Sequence, residues 1–373
     1  MRYSPLPQPQ TEWLQDFFCD GLWGGGTYTI DRTPCRIKLD QNEASWDWPE
    51  AIKKSILQRC QEEPWNKYPD PYVNEVLDAV SQYSGFAVDN LIIGPGSHHL
   101  LCLALSIFRQ RRRGQLVISR PSFPLYESHA KNFGLEKRIW PLTQDFEFET
   151  ESLHDLPAHS YVVFASPNNP VGNVLAKEHL EALLQAHPHS MFFADEAYFE
   201  YSPEPYTELV QRYPNLILLR TLSKAFASAG IRLGYMIGSQ PVIDMIRKVT
   251  LPYLVNRLAA VTVQQLLTDT TCLQRMRQQV EQTMVERDKT IESLIPIGRE
   301  KGFCVYPSHG NFFLQQWEDA ERARTIYTYL RDECSILVRD VSRGPLLDGC
   351  LRVTVGCPEE NQAFVTAMRA LAS

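Results

Sequence analysis

The chain has 373 residues, 44% hydrophobic and 22% charged, a globular composition with enough apolar material for more than one core. A net charge of −7 excludes the strongly basic footprint of a nucleic-acid binder, and no apolar run approaches the length of a membrane span. The nine cysteines are dispersed, with no CxxC and no Cys/His group at zinc spacing, so reduced thiols in a cytoplasmic protein without a metal are expected.

The first segment, MRYSPLPQPQTEW, is polar and proline-rich and has no apolar signal-peptide core. DGLWGGGTYT (20–29) matches no pattern, and the first 48 residues contain little that could fold alone. From LIIG (91–94) onward, short apolar runs alternate with helix-like stretches. The runs are QLVIS (115–119), YVVFA (161–165), MFFA (191–194), LILLR (216–220) and YMIG (235–238), and the connectors include HHLLCLALSIFRQ, KEHLEALLQAH and PVIDMIRKV. The basic run RQRRRG (Arg109 to Gly114) reads as a solvated helix end and turn. β-rich runs with helical connectors predict an α/β fold, a mostly parallel central sheet sandwiched by helices. After Val255 the pattern is helical to about Lys301, then α+β through FCVYPSHGNFFLQQW, TIYTYLRDE, SILVRD and CLRVTVG. The expected organisation is a large domain over 49–254 and a smaller α+β domain made of 1–48 with 255–373.

The polar tails of these runs carry more information than the runs themselves. LIIG empties into PGSHH, YVVFA into SPNNPVG, MFFA into DEAYFEY and LILLR into TLSK. Ligands of open α/β sheets sit outside the carboxyl ends of the strands, so these four tails are expected to share one site. Asp195, directly after MFFA, is a carboxylate at a strand end; alone it reads as a turn or cap acid. Tyr198 lies three residues later. Asn169 alone reads as part of a proline turn. Gly96 and Ser97 open a helix with backbone N–H groups and a hydroxyl suited to an anion. Lys224 stands among small residues, flanked by Thr221, Ser223 and Arg232. A buried acid, a phenol, an amide, an anion cradle and a lysine together are what pyridoxal phosphate requires. Its aldehyde needs an amine, its ring nitrogen a carboxylate, its ring oxygen hydrogen-bond donors, and its phosphate hydroxyls, amides and an arginine.

SPNNPVG, DEAY and SKAFASAGIRLGY resemble the signatures of the fold-type I, pyridoxal-phosphate-dependent aminotransferases, from about Lys38 to the C-terminus. Within that superfamily LDQNEAS (39–45), KYPDP (67–71), GPGS (94–97), GNFFL (310–314), LVRD (337–340) and LRVTVG (351–356) are most similar to the histidinol-phosphate aminotransferases. The resemblance implies an amino-group transfer between glutamate or 2-oxoglutarate and a phosphorylated or amino-acid-like substrate. It implies that Lys224 captures the cofactor aldehyde and shuttles a proton, that Asp195 pairs with the ring nitrogen, and that Tyr198 and Asn169 hold the ring oxygen. Gly96, Ser97, Thr221, Ser223 and Arg232 are implied to bind the phosphate, and Phe123, in RPSFPLY, to stack on the ring. Tyr68 is implied to reach the neighbouring subunit's phosphate site, hence a homodimer. Arg339 and Arg352 are implied to form an anion fork for the substrate, which suits bidentate guanidinium contacts.

Three departures stand out. His98 and His99 occupy positions where relatives carry an acidic pair; a helix-surface place is expected for them, the alternative being that one faces the cofactor region. ASWDWPE (44–50) replaces a more typical proline- and glycine-rich loop near the substrate, where Trp46 and Trp48 could reshape the pocket. The N-terminal DGLWGGGTYT has no counterpart. The nearest rival function is a threonine-phosphate decarboxylase-like lyase, which needs the same electron sink; a less specific aromatic aminotransferase is another. A non-catalytic module of this fold is disfavoured by the lysine and by the lack of a helix-turn-helix extension.

Overall fold

The computed structural model describes residues 30–108 and 114–371. The segment 20–29 and the basic run, except Gly114, lie outside the described residues. The strands are β1 (Ile37–Leu39), β2 (Leu91–Gly94), β3 (Leu116–Arg120), β4 (Lys137–Pro141), β5 (Tyr161–Ala165), β6 (Met191–Asp195), β7 (Leu216–Thr221), β8 (Gly234–Ile237), β9 (Phe303–Val305), β10 (Phe312–Trp317), β11 (Ile336–Asp340) and β12 (Cys350–Thr354).

Seven of them form one sheet in the order β2-β8-β7-β6-β5-β3-β4. β8 runs antiparallel to both its neighbours and the other pairs are parallel. The reason these strands read as unbroken apolar runs is that both faces are buried. Val162, Phe164, Phe192, Ala194, Leu216 and Leu218 point to one core, with the helices Asn74–Ser84, Lys177–Ala186 and Arg257–Thr268. Val163, Ala165, Phe193, Ile217 and Leu219 point to the other, with the helices Ser97–Phe108, Leu125–Asn132 and Gln240–Arg247. Each fully buried side chain of this kind contributes about 1.5–3 kcal/mol of transfer free energy. All six predicted runs are strands. β4, which is not among them, is an edge strand ending in Pro141, where a missing N–H costs no ladder bond.

The second sheet has the order β1-β11-β12-β10-β9. β1, from the N-terminal part, pairs in parallel with β11. Its core joins Ile37, Leu39, Phe313, Trp317, Val338 and Val353 to Leu294 and Ile297 of the helix Thr270–Lys301. That 32-residue helix begins against the larger core through Cys272, Met276 and Val280. Packing therefore crosses the expected boundary at 254. Side-chain caps mark where the two long C-terminal helices start: Asn256 accepts from the Ala259 N–H at 2.9 Å, and Asp269 from the Thr271 N–H at 2.7 Å. Among the described residues, no helix is long and apolar enough to cross a membrane.

Candidate active site

The carboxyl ends of β5, β6 and β7 open onto a cavity of about 300 Å³, closed on the far side by residues of the smaller sheet. Gly96, Ser97, Phe123, Asn169, Asp195, Tyr198, Thr221, Ser223, Lys224, Arg232 and Arg352 all line it. Residues spread over more than two-thirds of the chain converge because parallel strands deliver their tails to one edge. Two of the expected residues stand apart. Tyr68 is 78% exposed and stacks on Tyr253 with ring centroids 4.6 Å apart. Arg339 is half-buried outside the lining; it lies opposite Arg352 in the β11–β12 register, and so on the same face of that sheet.

Asp195 is the last residue of β6, in register with Ala165 and Leu219. Its Oδ2 accepts a 2.5 Å hydrogen bond from the Tyr126 phenol, and its Oδ1 accepts one from the Ala197 N–H at 3.1 Å. Burial raises the carboxyl to about 6, while the Tyr126 bond, the Ala197 N–H and Lys224 restrain that rise. Reading the sequence alone misses Tyr126, although it sits three residues beyond Phe123 in RPSFPLY. Nothing local distinguishes a phenol that meets a carboxylate sixty-nine positions away.

Lys224 Nζ donates to the Gln41 carbonyl at 3.0 Å and to the Asn42 carbonyl at 2.9 Å. Withdrawal from water, then the positive charges of Arg352 and Arg232, bring its amine down to about 7, with Glu43 and Asp195 opposing. The segment Gln41–Glu43 lies just past β1 and is tied to the smaller sheet: the Asn42 N–H donates to Thr354 Oγ1 at 2.9 Å, and Asn311 Nδ2 donates to the Asn42 carbonyl at 3.1 Å. Asn42 Nδ2 also donates to Tyr198 Oη at 2.9 Å. In the sequence Asn42 stands out only as part of LDQNEAS; its contacts in the site require the fold. Arg352 donates through Nη1 to Asn169 Oδ1 at 2.7 Å and through Nη2 to the Asp40 carbonyl.

Also in the cavity lining, Thr221 Oγ1 donates to Ser223 Oγ at 3.0 Å and Arg232 Nη1 lies 3.4 Å from that oxygen. Arg232 has φ +60°, a left-handed conformation that costs a non-glycine residue on the order of 1–3 kcal/mol. Gly96 has φ +99°, and a Cβ there would stand 2.8 Å from Arg232 Nη2. The glycine thus leaves the arginine room at the start of the helix Ser97–Phe108. Ser97, Thr221, Ser223 and Arg232, with the N–H groups of that helix start, are a donor set without a carboxylate, and this fits a phosphate. The amine of Lys224 and the acid of Asp195 fit the aldehyde and ring nitrogen of the same molecule.

The structure places two of the departures. His98 lines the cavity, the less favoured of its two expected places, and meets the Phe123 ring edge-on at 5.5 Å. Trp46 and Trp48 do not line the cavity: Trp48 is buried with its Nε1 donating to the Phe226 carbonyl at 2.8 Å, and Trp46 packs on it edge-on at 4.9 Å. The loop's tryptophans support the wall behind the lysine turn. A grouping invisible as a zinc pattern is also present: His98 and Cys102 meet His129 of a neighbouring helix.

Fold and site define a pyridoxal-phosphate enzyme of the α/β type. The sequence matches the aminotransferase class I and II family over residues 36–368, and the chain belongs to that family. It is a pyridoxal-phosphate-dependent aminotransferase. The chain is 30% identical to a histidinol-phosphate aminotransferase of Thermoanaerobacter sp. (strain X514) over 363 residues, covering 96% of this chain and 99% of the relative. Among solved structures it is similar to the histidinol-phosphate aminotransferase of Sinorhizobium meliloti in complex with pyridoxal-5'-phosphate, with TM-score 0.77 and 23% identity over 91% of this chain and 92% of that one. It is also similar to the L-threonine-O-3-phosphate decarboxylase of Porphyromonas gingivalis, with TM-score 0.76 and 20% identity over 89% and 98% of the two chains. At such identities the structural likeness establishes the fold alone.

Proposed function

We propose that the chain transfers an amino group between glutamate or 2-oxoglutarate and a phosphorylated substrate, histidinol phosphate with its keto partner being the best fit. The observation that carries this reading is a single cavity lined by a buried acid, an amine and a carboxylate-free donor set. A full-length relative that is a histidinol-phosphate aminotransferase supports the substrate.

When bound, pyridoxal phosphate supplies an electron sink for the bonds at the amino-bearing carbon. Lys224 would hold the cofactor through its aldehyde and, as a free amine, would be the group that moves a proton at the amino-bearing carbon; burial brings that free amine down to about 7. Asp195 holds a proton at the ring nitrogen, with Tyr126 fixing the carboxylate from behind. Asn169 and Tyr198 hold the ring oxygen, and Phe123 covers a ring face. Gly96, Ser97, Thr221, Ser223 and Arg232 hold the phosphate. Arg352 and Arg339 hold the distal anion of the substrate; Arg352 at the cavity wall, with Arg339 opposite in register, supports the pair.

The chain works as a homodimer in which Tyr68 completes the neighbour's phosphate site. Support comes from the exposed aromatic and apolar surface around it: Trp65 is 82% exposed, Tyr72 74% and Leu251 68%. The working division is a cofactor-binding part over 49–254 and a smaller part made of 1–48 with 255–373, with the helix Arg257–Thr268 packed on the former. The enzyme is cytoplasmic, in keeping with eight free cysteines among the described residues, and has no nucleic-acid partner, in keeping with its net charge.

The test is a donor comparison on the purified holoenzyme. Release of 2-oxoglutarate from glutamate, then amination of the keto form of histidinol phosphate, is the expected result. Carbon dioxide release from threonine phosphate without any turnover of glutamate would replace this reading with a lyase. A preference for phenylalanine over histidinol phosphate would leave the transfer standing and remove the phosphorylated substrate.

A further inference from the structure

His98 and Cys102 are four residues apart on the helix Ser97–Phe108, so their side chains share one face one turn apart. His129 lies on the helix Leu125–Asn132, which packs beside it. The ligand-capable atoms of the three residues lie within 4.8 Å of one another, and all three side chains are half-buried. His129 Nε2 is 2.5 Å from His98 Nε2 and 2.9 Å from Cys102 Sγ. One ring nitrogen carries either a lone pair or a proton, so it cannot satisfy both neighbours well. The nitrogen–nitrogen distance is also below the 2.7–3.2 Å range of ordinary hydrogen bonds from N–H donors. The remaining His98 nitrogen, Nδ1, is buried without a hydrogen-bond partner.

We propose that His98, Cys102 and His129 form a site for a borderline-soft divalent cation, with Zn²⁺ as the type ion. Two imidazoles and a thiolate are a donor set that suits this ion, and oxygen-preferring Mg²⁺ and Ca²⁺ are poorly served by it. With Zn–N near 2.0–2.1 Å and Zn–S near 2.3 Å, tetrahedral ligand atoms stand about 3.3–3.6 Å apart, so the His129 nitrogen moves away from each neighbour by roughly an ångström or less to admit the ion. Cys102 gives its thiol proton to solvent as the sulfur–metal bond forms. Three protein ligands leave a fourth position for water. Because His98 lines the cofactor cavity and touches Phe123, the ion fixes the wall on which the cofactor ring is expected to rest. None of the three residues is assigned a step in the amino-group transfer, so the site stands or falls independently of the substrate.

The test uses holoenzyme stripped of adventitious metal with a chelator and titrated with Co²⁺, then with Zn²⁺. A thiolate-to-cobalt absorption band saturating at one ion per chain, and displaced by Zn²⁺, is expected. Cys102→Ser should abolish the band. His129→Gln should weaken binding by more than the roughly 10–100-fold that loss of an outer-shell partner costs. Cys304→Ser, at an exposed cysteine of the smaller sheet, should leave the band unchanged. Retained cofactor absorption reports that each variant is folded. A band that persists in Cys102→Ser, equal affinity in His129→Gln, or no saturable uptake by the unaltered enzyme each overturns the site.

Discussion

Replacing Tyr126 by Phe removes one oxygen and nothing else from the environment of Asp195. Tyr126 is fully buried, and its ring stays packed when the hydroxyl is lost. The 2.5 Å bond it donates to Oδ2 is charge-assisted, and such bonds contribute about 1.5–3 kcal/mol. One pKa unit corresponds to about 1.4 kcal/mol, so losing the bond should move the Asp195 midpoint from about 6 to between roughly 7 and 8. The assay is a carboxyl-carbon NMR titration of the cofactor-free protein, with Asp195→Asn identifying the resonance. Stability gives a second readout. A carboxyl whose folded midpoint lies above its ordinary 3.8 contributes stability that is complete below pH 3.8 and lost as pH rises through about 6. The loss in the unaltered apoprotein is on the order of 3 kcal/mol, and Tyr126→Phe should enlarge it and extend it toward pH 8. A midpoint that stays near 6 in the variant would show that the phenol does not restrain the carboxylate.

Lys224→Ala should keep weak cofactor binding through the donor set of Ser97, Thr221, Ser223 and Arg232 and lose nearly all turnover; a variant that keeps its activity, with the cofactor trapped on another lysine by borohydride, would reassign the residue. Lys224→Met bears on pH instead. Because the amine titrates near 7 in the fold and near 10.5 otherwise, the unfolded chain binds more protons between those values. Apoprotein stability should therefore gain a rising component from pH 7 to 10.5 that chemical denaturation finds missing in the variant. Arg352→Ala removes the donors to Asn169 and to the Asp40 carbonyl and should lower kcat/KM about tenfold to a hundredfold in both half-reactions, while Arg339→Ala, outside the cavity lining, should cost less on glutamate than on the phosphorylated substrate. Gly96→Ala should raise the cofactor dissociation constant without altering Lys224, since the added methyl meets Arg232; equilibrium dialysis of pyridoxal phosphate measures it.

The central sheet and most of the cavity lining are legible in the order of the residues. Strands buried on both faces must be apolar throughout, so YVVFA, MFFA and LILLR declare themselves, and the polar residue after each is placed at the sheet's carboxyl edge by strand geometry alone. Asp195, Asn169, Thr221, Ser223 and Lys224 are readable as cavity residues for that reason, with the family resemblance supplying the roles proposed for them. β4 is not readable, because an edge strand covered on fewer sides has no such run. The folded chain is needed to know which residues of the second sheet reach the cavity. Gln41–Glu43 and Arg352 arrive through the β1–β11–β12 pairing, Tyr126 through the packing of its helix on the sheet, and His98 through the facing of one helix turn. Trp46 and Trp48, conspicuous in the sequence, are directed into packing behind the lysine turn instead. The physical reason is the same in each case: periodicity reports whether a side chain is buried, while its partners depend on which distant surface the fold brings against it.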